Sequence, residues 1–229
     1  MFEFLLLDLD NTILDFHKAE REAVKKTLTA FGVTPTEEIC SLYRQINQAH
    51  WERLERKELT REQVCVGRFA TLFTQLGVEG DAKACSDTYA RNLAIGHYFL
   101  PGAEQAVEQL SKKYRLYLAS NGNLAVQAGR LKSANISRFF EKVFISQEVG
   151  ADKPSVEFFD RCFAQIPDFD KSKAMIVGDS LTSDILGGNN AGIATCWVNP
   201  DHAPRRADIR VDYEIESITQ LEELLNKEK

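Results

Sequence analysis

Short apolar runs punctuate the chain at residues 3–7 (EFLLL), 116–119, 143–145, 174–177 and 194–198. Continuous runs of that length, bounded by turn residues, are the pattern of strands buried on both faces of a parallel sheet. Between the later runs the apolar positions recur at helical spacing. Ala103, Ala106, Val107 and Leu110 fall on one face, as do Leu124, Ala128 and Leu131, and likewise Val156, Phe159 and Phe163. Strands alternating with helices of this length predict βαβ units and an α/β fold with a doubly wound parallel sheet.

The stretch 16–99 breaks that alternation. It contains no convincing strand, but Val24, Leu28 and Phe31 make one helical stripe and Phe69, Leu72, Phe73 and Leu76 another. Thr60 followed three residues later by Gln63 predicts a capping box opening the second of these helices. The division expected is therefore a core of residues 1–15 plus 100–229 and an inserted all-helical cap of residues 16–99, with Pro101-Gly102 marking the return to the core. Residues 218–225 predict a short terminal amphipathic helix. Gly187-Gly188 lies inside a predicted helix at a cost of about 1 kcal/mol per glycine relative to alanine. Close packing of that helix on the sheet would offset it.

Composition narrows the partners. Of 229 residues 44% are hydrophobic and 27% charged, as in ordinary globular proteins. Lys+Arg 28 against Asp+Glu 34 leaves a net charge of −6, which offers no global field for nucleic acid polymers or anionic membranes. A small anionic substrate would need locally placed cations. The five cysteines are scattered and none forms a C-x-x-C pair, so neither a zinc site nor a disulfide framework is expected. The opening MFEFLLLDLD lacks a basic stretch and its apolar run is short, so no signal peptide or membrane span is expected and a cytoplasmic setting is.

In open parallel sheets ligands sit beyond the carboxyl ends of the strands, near a topological switch point. Four predicted strand ends carry candidate chemistry. The first is Asp8-Leu9-Asp10-Asn11-Thr12, where two carboxylates after an apolar strand are costly without a cation, and magnesium, a hard oxygen-seeking ion, answers that need. The second is Ser120-Asn121-Gly122, a hydroxyl and successive N–H groups leading into a helix. The third is Lys153, fixed before Pro154. The fourth is Gly178-Asp179-Ser180-Leu181-Thr182-Ser183-Asp184. Each has a plain alternative: Asp-Asn-Thr is also turn chemistry, Ser, Asn and Thr are favoured helix caps (Thr182 or Ser183 in the fourth segment), and a loop lysine is commonly solvated. Their joint occurrence at successive strand ends is far more specific than any one of them.

With DLDNT at 8–12, the apolar strand ending at Ser120, Lys153 before Pro154 and GDSLTSD at 178–184, the chain resembles the haloacid dehalogenase (HAD) superfamily over essentially its whole length, with a helical C1-type cap inserted after the first motif. GDSLTSDILGGNNAGIATCWVNP at 178–200, together with SNG at 120–122, resembles more narrowly the bacterial house-cleaning pyrimidine 5′-nucleotidases of that superfamily. The resemblance implies a Rossmann-like core and a Mg²⁺-dependent phosphatase that acts on a small phosphorylated substrate through an aspartyl-phosphate. It casts Asp8 as nucleophile and Asp10 as general acid and then base. Asp8, Asp10 (also through its carbonyl) and Asp179 become metal ligands, and Ser120, Asn121 and Lys153 become phosphate-binding groups. Thr12 would help hold the catalytic loop, and Asp184 would support a loop or a ligand. The superfamily's dehalogenases lack an acid in the place of Asp10, so its presence favours phosphoryl chemistry. The cap would close over the site and choose the leaving group. Phe16, His17, His50, Trp51 and Phe69 are candidates for a base-stacking surface, Trp51 foremost, with Arg68 as a polar contact.

Phosphoglycolate or sugar-phosphate phosphatases and phosphomutases share the same core motifs and remain alternatives at this point. A phosphoaspartate signalling receiver also combines a doubly wound sheet with aspartates, a hydroxyl and a lysine. It would have adjacent acids after strand one and no helical insertion, unlike the D-x-D spacing and large insertion here.

Overall fold

In the computed structural model, which describes residues 1–227 with the Glu55 side chain excepted, the chain divides into two compact units. One is Met1–Phe16 with His97–Lys229, and the other is His17–Gly96.

The first unit is built on a six-stranded sheet. Its strands are β1 (Phe4–Leu7), β2 (Arg115–Ser120), β3 (Lys142–Ile145), β4 (Ala174–Gly178), β5 (Ala194–Val198) and β6 (Tyr213–Ile215), in the spatial order β3-β2-β1-β4-β5-β6 with every pair parallel. Because successive strand residues point to opposite faces, each central strand feeds two separate cores. Leu5, Leu7, Leu116, Leu118, Met175 and Val177 face one; Phe4, Leu6, Tyr117, Ala119, Ala174 and Ile176 face the other. The apolar runs are continuous because both faces are covered, which is what the sequence pattern predicted. The short β6 was not predicted. It lies at the sheet edge, and of its three residues only Ile215 is fully buried, so charged Asp212, Glu214 and Glu216 obscure any apolar run.

The second unit contains helices α2 (Glu37–Glu55), α3 (Arg61–Leu76) and α4 (Ala82–Leu93), together with nearly all of α1 (Phe16–Ala30). The Thr60–Gln63 capping box forms as expected, Thr60 Oγ1 accepting from Gln63 N at 3.3 Å and Gln63 Oε1 from Thr60 N at 2.8 Å. No strand occurs among the described residues of this unit.

Helices of the first unit are α5 (Ala103–Ser111), α6 (Leu124–Ala134), α7 (Ser146–Val149), α8 (Val156–Phe163), α9 (Leu186–Ala191) and α10 (Leu221–Lys227). The glycine pair in α9 has the expected reason. A Cβ on Gly188 would lie 2.6 Å from both Ile176 Cγ2 and Thr195 Cγ2, and one on Gly187 would lie 2.7 Å from the Phe159 ring, so α9 sits directly on strands β4 and β5. Helix α6 departs from its predicted face. Leu124 and Ala128 are exposed, and the buried side is Val126, Gln127, Arg130, Leu131 and Ala134. No helix of the described residues is long and apolar enough to cross a membrane.

Candidate active site

Strand order reverses direction at β1, whose neighbours are β2 on one side and β4 on the other. All the core candidates gather beyond the carboxyl ends of these three strands. Asp8 continues β1 by donating its N–H to the Val177 carbonyl at 2.9 Å. The chain then turns sharply. Asn11 takes a left-handed conformation (φ 56°), which asparagine tolerates better than most residues, its N–H reaches Leu14 O at 2.7 Å, and its Oδ1 accepts from Phe16 N at 3.1 Å. The loop is thus held by Asn11. Thr12, expected to hold it, is fully buried with its hydroxyl lacking a hydrogen-bond partner among the described residues.

Lys153 is the centre of charge. The side chain of Asn121, at the end of β2, pins its main chain from both sides, Nδ2 donating to Lys153 O at 2.8 Å and Oδ1 accepting from Lys153 N at 2.9 Å. The buried ammonium then uses all three of its protons, on Asp8 Oδ1 (2.7 Å), Asp184 Oδ1 (2.6 Å) and the Ala119 carbonyl (2.6 Å). The sequence alternative of a solvated loop lysine is therefore not what folds. Asp184 can reach it only because residue 178 is glycine: a Cβ there would lie 2.2 Å from Asp184 Oδ2. That same oxygen accepts from Ser180 N at 3.1 Å, while Ser180 Oγ, rather than Thr182 or Ser183, caps the following π-helical turn by accepting from Ser183 N at 3.2 Å. Trp197 on β5 donates Nε1–H to the Asp179 carbonyl at 2.8 Å, which ties that segment to the sheet.

Asp8, Asp179 and Asp184 each present a carboxylate oxygen within 4.8 Å of the others. Against these three anions stands one buried ammonium, and desolvation makes the surplus expensive. Burial pushes the Asp8 carboxyl well above its ordinary value, opposed by Lys153 and reinforced by Asp184, Asp179 and Asp10. Burial, with Asp184 and Asp10 nearby, pushes Asp179 up to about 7. Burial works against the charge on Lys153, but Asp184 and Asp8 together hold its pKa above the usual lysine value. A compact set of oxygen donors with excess negative charge is what a hard divalent cation such as Mg²⁺ requires, so these residues fit that ion. Asp8 and Asp179, two of the three expected ligands, belong to this side-chain set together with Asp184. The Asp10 carboxylate lies outside it, which leaves its main-chain carbonyl as the route by which Asp10 would reach the ion.

The Asp10 carboxylate turns instead to helix α6, where Oδ2 accepts from Gln127 Nε2 at 2.8 Å and Oδ1 accepts from Arg130 Nη1. Gln127 Nε2 also donates to Ser120 Oγ at 2.8 Å, and Arg130 Nη1 donates to Gln127 Oε1 at 3.1 Å. Sequence reasoning missed both residues. The stripe Leu124–Ala128–Leu131 left Arg130 off the predicted face, and Gln127, though spaced to share that face, is polar and carried no apolar signal. A glutamine and an arginine three residues apart, just after a candidate anion loop, were the available signal.

In the helical unit the expected substrate contacts separate. Phe69 is completely buried, and Arg68 lies inside the helix packing, its guanidinium 4.6 Å from the Tyr89 ring centroid and its Nη1 donating to Asn47 Oδ1 at 2.8 Å. Neither is open to a substrate, because both fill the interior of the helices. Trp51 on α2 is half-buried, with the Arg61 guanidinium 5.6 Å from its ring centroid. His50, also half-buried, sits with Nδ1 2.8 Å from Ile46 O, one helical turn back.

A model of haloacid dehalogenase-like hydrolases matches residues 3–192. The chain belongs to that family. It is 38% identical to the pyrimidine 5′-nucleotidase PynA of Streptococcus pneumoniae over 227 residues, covering 99% of this chain and 96% of the other. It is 30% identical to the pyrimidine 5′-nucleotidase YjjG of Escherichia coli over 226 residues, covering 99% of each. It is also 37% identical over 227 residues to the HAD-hydrolase YfnB of Bacillus subtilis, covering 99% of this chain and 97% of that one. The crystal structure of YfnB, solved bound to magnesium, superposes with a TM-score of 0.95 at 36% identity and covers 98% of this chain and 99% of its own. The doubly wound α/β core and the hydrolase class follow from these matches.

Proposed function

We propose that this HAD-family hydrolase is a magnesium-dependent phosphomonoesterase that cleaves (deoxy)nucleoside 5′-monophosphates, pyrimidine nucleotides first among them. The observation that carries the reading is the Lys153 ammonium held between Asp8 and Asp184 at the switch point, with a second acid, Asp10, two residues beyond Asp8. That arrangement holds a carboxylate ready for attack beside a cation that can also meet a phosphate oxygen. The names of PynA and YjjG support the nucleotide as substrate.

Asp8, Asp179 and Asp184 would hold Mg²⁺, whose charge offsets the repulsion between an anionic nucleophile and an anionic phosphate. Asp8 attacks phosphorus. The bond from phosphorus to the ester oxygen breaks, and Asp10 gives its proton to the departing alkoxide. Asp10, now a carboxylate, takes a proton from water. The resulting oxygen attacks phosphorus, and the Asp8–phosphorus bond breaks to release phosphate and regenerate both acids. Lys153, Ser120 and the N–H of Asn121 stabilise the equatorial oxygens. Ser120 Oγ already accepts from Gln127, so its own proton is available for a phosphate oxygen.

A panel of dUMP, dTMP, UMP, phosphoglycolate and hexose phosphates tests the proposal. Nucleotides are expected to show the highest kcat/KM. Sugar phosphates turning over far faster than every nucleotide would refute the nucleotide assignment and leave a phosphatase of the same design.

A further inference from the structure

Both oxygens of Asp10 are gripped by groups from one helix. Arg130 donates to Oδ1 and Gln127 Nε2 donates to Oδ2 at 2.8 Å. The pair is also ordered internally. A guanidinium has no acceptor, so the Gln127 amide must turn Oε1 toward Arg130, at 3.1 Å, and this aims its NH₂ at Asp10 and at Ser120 Oγ, 2.8 Å away. Arg130 is fully buried and its guanidinium lies 5.5 Å from the centroid of the Phe16 ring, so its position is fixed by packing as well as by charge. A buried arginine and glutamine on a helix face otherwise made of Val126, Leu131 and Ala134 are a costly choice for packing alone.

We infer that Gln127 and Arg130 are positioning residues for the reaction, setting the place from which Asp10 delivers and removes protons and, through Gln127, the direction in which Ser120 points its hydroxyl proton. This rests on the aspartyl-phosphate reading above. The link between the two functions is physical: a single amide group meets the acid–base residue and the phosphate-binding hydroxyl, so displacing it disturbs both. Misplacement of a reacting group by about 1 Å can cost about 10²-fold in rate.

The test compares substrates whose leaving groups differ in their need for a proton. With p-nitrophenyl phosphate the phenolate leaves unaided, so phosphorylation of Asp8 does not need Asp10, whereas the later attack by water does. For Arg130→Met the expected result is first-turnover nitrophenol release within about twofold of wild type, an accumulating phosphoenzyme and steady-state turnover lower by about 10²-fold, with dUMP hydrolysis falling at least as far. Gln127→Leu, which also releases Ser120, should slow the first turnover as well as the steady state. Arg130→Lys should recover part of the loss. If in Arg130→Met the first turnover and the steady state fall together, or if both variants, folded by circular dichroism, turn over as wild type does, the positioning role is wrong. If Asp8→Asn turns over p-nitrophenyl phosphate as wild type does, the failure belongs to the proposed mechanism and not to Gln127 and Arg130.

Discussion

Two regions of this protein bury charged side chains, and they do so in opposite ways. In the helical unit, buried Glu20 accepts from Asn47 Nδ2 at 2.6 Å, Asn47 Oδ1 accepts from buried Arg68 at 2.8 Å, and the rings of Tyr43, Phe69 and Tyr89 surround the guanidinium. Glu20 also meets the half-exposed Arg44 at 3.7 Å, so its charge is answered within the unit and the network needs no ligand. At the switch point three carboxylates meet a single ammonium, and the pKa values of Asp8 and Asp179 rise, chiefly through burial and further through the neighbouring carboxylates. A matched network specifies how helices pack. An unmatched one is held in place by the fold around it and is relieved by what binds there.

The sharpest way to break this comparison is Asp8→Asn. Hydrolysis is expected to fall by about 10⁴-fold or more, since the nucleophile is gone, while thermal stability holds or rises because a crowded carboxylate has been neutralised. Substantial residual turnover would overturn the nucleophile assignment, and a collapse in stability would overturn the electrostatic contrast. Removal of divalent cations with EDTA is next. Turnover should drop to background and return with Mg²⁺, and Mg²⁺ at about a hundred times its Kd should stabilise the fold by about 2.7 kcal/mol, read as a shift in Tm. An unchanged Tm would mean that the carboxylates do not take up the ion.

In the helical unit the expectation reverses. Arg68→Met should cost about 3 kcal/mol by leaving buried Asn47 Oδ1 without its donor and Glu20 with only the half-exposed Arg44. Denaturant unfolding measures this, and a cost below about 1 kcal/mol would show that the network is not the structural one described. The smallest effect expected is that of Gly178→Ala, about 1–3 kcal/mol, as the new methyl displaces the Asp184 carboxylate. Its signature is that kcat falls with the stability, because Asp184 holds Lys153. A stability loss with intact kcat would separate Asp184 from the site.

Much of this was legible in the chain because local rules agreed with the global fold. Strands β1 to β5 announced themselves as apolar runs since both faces of the sheet are covered, and Asp8, Asp10 and Asp179 just after β1 and β4, with Lys153 in the loop after α7, were legible through their joint order along the chain. Strand β6 was not legible, since an edge with one fully buried residue carries no hydrophobic signal. The face of α6 was misread for a related reason. Periodicity assumes that buried means apolar, and on this helix the inward side includes Gln127 and Arg130 because Asp10 and Ser120 await them there.

The order of motifs along the sequence therefore determined the fold class and which acids lie at the switch point, because strand burial and D-x-D spacing are local properties of the chain. Only the tertiary structure decided how those acids divide their work. Asp184 joins Asp8 and Asp179 because Gly178 leaves room for it, and Asp10 turns away because a helix that begins more than a hundred residues later brings two donors to it. Such contacts depend on how β2 and α6 pack beside β1, a long-range consequence of folding that no local pattern encodes.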